Sequence, residues 1–168
     1  SANKQKSQLD QRLSKKIDRP KSQKQKTQSE KINRSENLET LKSSNECLAC
    51  SFKGADLQDE NLEFAKLSGT DMQGANLSGA KLKGADFQNA DFWKTDLENA
   101  DLRDANFKGA RFMQVSLKGA NLAGANFEDA DLRFVNLEGA QTDGANFNKA
   151  KLFGTVIKHP KTKLLKKP

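Results

Sequence analysis

From Phe52 onward the chain places an apolar residue at every fifth position, through Leu57, Leu62, Leu67 and Met72 as far as Leu152 and Ile157, and only Thr142 in that series is polar. Two residues before each of these centres stands a compact one, from Cys50 and Ala55 through Ala150 and Thr155, with Glu60 the one clear misfit. Asp or Asn predominates between the two. A period of five fits neither the 2.0 of a strand nor the 3.6 of a helix, so the backbone must extend briefly and then bend. Strand-like alternation over three residues turns the compact position and the centre inward and the Asp or Asn outward. The other two residues turn a corner. All eleven glycines fall two residues after a centre, and Asp59, Asn89, Asn99, Asp104 and Asp129 share that slot; these residue types tolerate a left-handed backbone or favour turns.

The spacing of the large side chains gives the number of corners per coil. Phe87/107, Phe107/127, Phe127/147 and Phe92/112 are pairs of centres twenty apart, against two pairs fifteen apart. Four sides per coil are therefore favoured. The expected fold is all-β, a quadrilateral β-helix of about 5.5 coils, roughly 26 Å long at the ~4.8 Å spacing of neighbouring strands. Its interior is a column of Leu and Phe edged by Ala.

Charge divides by position. Residues 1–45 carry a net +7, residues 46–157 a net −5 and residues 158–168 a net +5, so the overall +7 belongs to the ends. Residues 1–44, rich in Lys, Gln and Ser, are expected to be a disordered tail, because such a composition buries too little surface to offset chain ordering. Short helices are expected at 7–18, where Leu9, Leu13 and Ile17 share a face before Pro20, and near 36–43. The β-helix is expected over 45–159 and a basic tail over 160–168. Either tail could touch nucleic acid or anionic lipid weakly; without aromatic residues, the first has no means of stacking on bases. No apolar run reaches the ~18 residues of a membrane span.

Residues 45–157 resemble the pentapeptide repeat family, whose A(D/N)LXX pattern appears as ADL at 55–57 and 100–102, ANL at 75–77 and 120–122, ADF at 85–87 and ANF at 105–107. The resemblance implies a right-handed coil. The stretch from Leu41 through Cys47, Leu48, Ala49, Cys50 and Phe52 is similar to a CxxC lead-in found before many bacterial pentapeptide domains. Members with that lead-in often carry export signals, which favours an exported, periplasmic or lumenal location over the cytoplasm. The family also includes quinolone-protection proteins that mimic DNA and bind gyrase. Here Lys81, Lys83, Lys94, Arg103, Lys108 and Arg111 interrupt the acidic residues of the body, so mimicry is the alternative reading.

Cys47 and Cys50 lack the four-ligand set of a zinc site, since His159 is the only histidine. Nor does the pair open a helix after a strand, as a thioredoxin-like motif would. In the fivefold register Cys47 is a centre and Cys50 a compact position, so both are expected to point inward in a structural cap, as a thiol pair or a disulfide. A filled interior leaves no pocket in which nucleophile, base and orienting group converge. The expectation is a non-enzyme without metal or cofactor, acting through its surface as a structural or protein-binding scaffold. One side collects outward apolar residues, Trp93, Met113, Phe134 and Phe153, apart from which only Phe64 and Leu48 are large and outward. This surface is expected either to meet a protein partner or to lie under a tail or chain end. On the same side Arg111 falls between Asp91 and Asp131, giving a ladder of alternating charge.

Overall fold

Each pentapeptide forms one side and one corner of a four-sided coil, and the computed structural model, which describes residues 33–156, shows how the residue types enforce this. The chain divides into two units, Ser1–Glu36 and Asn37–Pro168, and the coils lie in the second. The expected helix at 7–18 and the tail beyond 160 lie outside the described residues.

Parallel bridges join residue i to residue i+20, from Glu46 with Lys66 to Asn136 with Val156, in four columns. Each side contributes a single bridge residue, too little for an extended strand. Four backbone bonds per pentapeptide do the work, one of them from the left-handed corner residue to the coil above, as Gly54 N–H gives to the Gln73 carbonyl (2.8 Å). The centre donates to the coil above, as Phe52 N–H does to the Asp71 carbonyl (2.7 Å), and the outward residue donates to the coil below, as Asp71 N–H does to Cys50 (3.0 Å). The last closes the turn, as Ala55 N–H does on Phe52 (2.8 Å). φ is positive at the third turn residue of every unit from Ala49 to Gly154.

One donor is left over, the N–H of the first corner residue, and the outward Asp or Asn accepts it: Asp91 Oδ1 takes Trp93 N–H (3.0 Å) and Asn126 Oδ1 takes Glu128 N–H (3.1 Å). This local bond explains the Asp/Asn of the repeat. On one side the amides also link coil to coil: Asn146 Nδ2 donates to Asn126 Oδ1 (2.9 Å), Asn126 to Asn106 (3.2 Å), and Asn106 to Asp86 (3.2 Å). An Asn126→Asp substitution keeps both acceptor roles of residue 126 but sets a carboxylate against Asn106 Oδ1. The expected cost is about 1 kcal/mol at neutral pH. The mutant carboxyl can donate once protonated, so its folded pKa is raised and the deficit shrinks as pH falls through it, which melting at pH 7 and pH 4 will test.

Inside, Phe87, Phe107, Phe127 and Phe147 stack in one column, with centroids 4.9–5.4 Å apart and planes within 15°. Phe92 and Phe112 stack in the next (4.7 Å) and meet the first column edge-on, an arrangement that suits the ring quadrupole. Thr70 and Thr95 replace the compact Ala, and their buried hydroxyls donate to the Leu67 and Met72 carbonyls (both 2.7 Å).

Helix α1, residues 33–44, covers the first coil. It is longer than the 36–43 that composition suggested and takes part of the stretch expected to be disordered. The reason is tertiary: Leu41 is buried and Leu38 packs against the core, while Asn37 Nδ2 donates to the Ser51 carbonyl (2.9 Å). Asn45, at φ 55°, ends the helix, and its side chain donates to Glu63 O (2.9 Å). Cys47 and Cys50 are joined in a disulfide, Cα–Cα 5.6 Å, with Cys47 buried. Glu60 fits its compact slot because the chain twenty residues earlier is helix instead of coil, and Lys42 of α1 meets its carboxylate at 3.1 Å.

Candidate functional site

The corner that carries Trp93 departs from the repeat over three successive coils, although Gly54, Gly74 and Gly154 on the same edge keep the usual glycine. At the left-handed slot the edge bearing Asp59 holds Asp, Gly, Asn, Gly and Gly in successive coils, whereas this edge holds Lys94, Gln114 and Phe134 at φ 56°, 60° and 59°. Side chains with a Cβ sacrifice roughly 1–2 kcal/mol each to adopt that conformation. The compact slot after the corner holds Thr95, Val115, Val135 and Thr155, where Ala is usual. The corner is also looser. Lys94 N–H and Phe134 N–H donate to the next coil at Met113 and Phe153 (3.1 and 3.0 Å), but Gln114 makes no such bond, and Val115 and Val135 do not close their turns. Thr95 and Thr155, branched like Val, keep their turn bonds (3.0 and 3.2 Å), so the opening is confined to the two Val coils.

The four outward residues singled out from the sequence lie along this edge in consecutive coils, but they do not form one continuous apolar strip. Trp93 is 39% exposed, and Lys94 Nζ sits 4.4 Å from its ring centroid, a cation–π contact. Met113 is half-buried, because Arg133 Nη2 lies 3.8 Å from its Sδ. Arg133 is itself held by Asp131, Nε to Oδ1 at 2.8 Å and Nη2 to Oδ2 at 2.6 Å. That bond lowers the Asp131 carboxyl below its ordinary range and raises the guanidinium. Asp101 and Arg103 repeat the pairing on another side. With Asp131 so engaged, Arg111 pairs with Asp91 alone (3.3 Å), and the expected ladder through Arg111 is one-sided.

Beyond Arg133, Phe134 (52% exposed) and Phe153 (74%) meet edge-on, centroids 5.6 Å apart. Gly154 makes this possible: a Cβ there would lie 2.6 Å from the Phe134 ring, which occupies that space. Val156, also exposed, stands nearby in an outward slot that Asp or Asn fills elsewhere. Sequence reasoning passed over it, although an apolar residue in an outward slot was a readable signal. Phe64, over Gly84, and Leu48 are exposed on other edges.

A groove of about 360 Å³ opens between α1 and the first coil, lined by Leu41, Lys42, Asn45, Glu60, Glu63 and Phe64 among others. Among the described residues no group of three or more His, Cys, Asp or Glu could hold a metal, and no helix is long and apolar enough to cross a membrane.

Comparison with known proteins places this geometry. The pentapeptide repeat profile matches in eight copies, over residues 47–84, 80–119, 110–148 and 120–158. No curated protein matches the chain. Among solved structures, it is similar to Rfr23, a pentapeptide repeat protein from the cyanobacterium Cyanothece 51142 (26% identity, TM-score 0.53, covering 73% of this chain and 94% of that one). HetL, a pentapeptide repeat protein involved in heterocyst differentiation regulation in Nostoc sp. strain PCC 7120, is 33% identical with a TM-score of 0.53. The match spans 67% of this chain and 55% of HetL. QnrB1, a plasmid-mediated fluoroquinolone resistance protein, in a trypsin-treated form, is 26% identical over 66% of this chain and 64% of that one, at a TM-score of only 0.32. With i to i+20 bridging throughout the coils and the family profile matched from residue 47 to 158, the chain belongs to the pentapeptide repeat family.

Proposed function

We propose that this chain is a non-enzymatic scaffold that offers the edge from Trp93 through Met113 to Phe134 and Phe153 to another protein. The observation that carries the reading is the coincidence on one edge of strained Lys94, Gln114 and Phe134, branched Val115 and Val135, and exposed aromatic rings. Strain kept where the fold offers Gly or Asn as alternatives points to selection for something other than stability. About five and a half right-handed coils, filled with side chains at zero exposure, would hold such an edge rigid. The same filling leaves no interior room for catalysis. DNA mimicry is the weaker reading: Arg103, Lys108, Arg111 and Arg133 each pair with a body carboxylate, which breaks up any dense acidic surface. The Cys47–Cys50 disulfide supports an oxidising, exported or lumenal setting.

The test is a Trp93→Ala, Phe134→Ser double variant. Its melting should stay within about 1 kcal/mol of the parent, since both side chains are outward. A protein that cross-links to the parent chain should be lost with the variant and retained by Phe64→Ser, which alters an aromatic on another edge. Equal capture by all three proteins would remove this edge as the site.

A further inference from the structure

The wall that leads into the Trp93 corner carries Asp91, Arg111, Asp131 and Lys151 in successive, bridged coils. Their charges run minus, plus, minus, plus, an order that read backwards is its own opposite. A two-fold axis that lays this wall on the same wall of a second copy, with the two stacks antiparallel, therefore brings unlike charges together. Asp91 meets Lys151 of the second copy, and Arg111 meets Asp131 of the second copy, the axis passing midway between the coils of Arg111 and Asp131.

We propose that this edge docks a second copy of the chain in that register, so that the protein partner of the edge is the chain itself; the proposal rests on the reading of the edge given above. The corners on both sides of the wall agree with the same axis. Trp93 meets Phe153 of the second copy, both exposed aromatics, and Gly154 comes opposite Lys94, which leaves room for the ammonium over the Trp93 ring. At the preceding corner Lys108 meets Glu128 of the second copy. Sliding the copies by one coil sets Arg111 against itself and Asp91 against Asp131, or, in the other direction, Asp131 against itself and Arg111 against Lys151. A parallel pairing sets each charge against its own kind. Like charges held face to face disfavour these arrangements. The groups are placed to reach across, since Lys151 is exposed and Arg111, whose side chain is 61% exposed, holds Asp91 from one side only. Four coils give a contact about 19 Å long at the ~4.8 Å strand spacing. Such a patch falls short of the ~800 Å² per partner of a tight complex, so the expected Kd is about 10–100 μM.

Sedimentation equilibrium of the full chain from about 5 to 500 μM, a range that brackets this Kd, tests the pairing. The parent should pass from monomer to dimer. Lys151→Asp and Asp91→Lys chains, each checked for folding by circular dichroism, should associate about ten-fold more weakly. Their equimolar mixture should associate as the parent does, because each residue 91 again meets an opposite charge. A benzophenone side chain in place of Phe153 should give a dimer-sized product joined at residues 91–95 of the second chain, and one in place of Phe64 should give none. This cross-link stands whether or not Asp91→Lys folds. A parent that stays monomeric throughout, a mixture of folded variants no tighter than its components, or equal dimer yield from positions 153 and 64 would each overturn the pairing. The edge itself is judged apart: with a monomeric parent, a different protein captured by the parent and lost with Trp93→Ala, Phe134→Ser sinks the second copy and leaves the edge standing.

Discussion

Phe107→Asp should leave the chain with no cooperative melting transition by circular dichroism. Phe107 has no solvent exposure and lies between Phe87 (5.4 Å) and Phe127 (4.9 Å), with Phe92 and Phe112 edge-on at 5.7 and 5.1 Å. Losing the ring alone costs about 3–5 kcal/mol. Burying a carboxyl with no partner adds several more, charged or protonated. The sum is of the order of a whole domain's stability, about 5–15 kcal/mol. Topology sharpens the effect, since each coil touches only its neighbours and a fault in mid-stack separates the coils before it from those after it. A Phe107→Leu control should melt cooperatively with a loss of about 1–2 kcal/mol. An Asp variant melting within a few degrees of the parent would refute the interior described above.

Leu41→Ala should cost about 2–4 kcal/mol, and its damage should be local. Leu41 is 1% exposed and closes the first coil; with it gone, α1 keeps half-buried Leu38, the bond from Asn37 to Ser51 and the exposed ion pair of Lys42 with Glu60. The disulfide still ties Cys47 to Cys50 but cannot replace the lost layer. Amides of the first coil, such as Cys47 and Phe52, should exchange faster by roughly the factor this energy implies, while those near Phe107 and Phe112 change little. Uniform acceleration along the stack would show that the end and the middle are one cooperative unit.

Much of the interior was legible because a fivefold cadence admits few backbones: once the glycines mark corners, the inward pair follows, and the Phe spacings choose four sides over three. The stacked rings at Phe87, Phe107, Phe127 and Phe147 are read directly from that choice. The outward edge was legible only as a set of residues. That Arg133 would turn onto Met113 depends on a rotamer fixed by Asp131, and that Phe134 would lie over Gly154 depends on a contact between coils. Neither is visible along a one-dimensional string. Val115 and Val135 were visible as letters, but Val counts as small and apolar in the string, and their missing turn bonds are seen only in three dimensions. The extent of α1 likewise depended on Leu41 finding a core to cover.

The twenty-residue repeat of the bridges sets a rule of phase for change in this chain. Removing five residues between Met113 and Phe134 would leave a pattern that still folds, yet would rotate everything downstream by a quarter turn. Phe134 and Phe153 would then face a different direction from Trp93. Lineages or engineers that lengthen such a chain while keeping one functional line along it must therefore add or delete in multiples of twenty, and an indel of any smaller whole unit keeps the fivefold cadence but puts the Phe column out of step and redraws the surface.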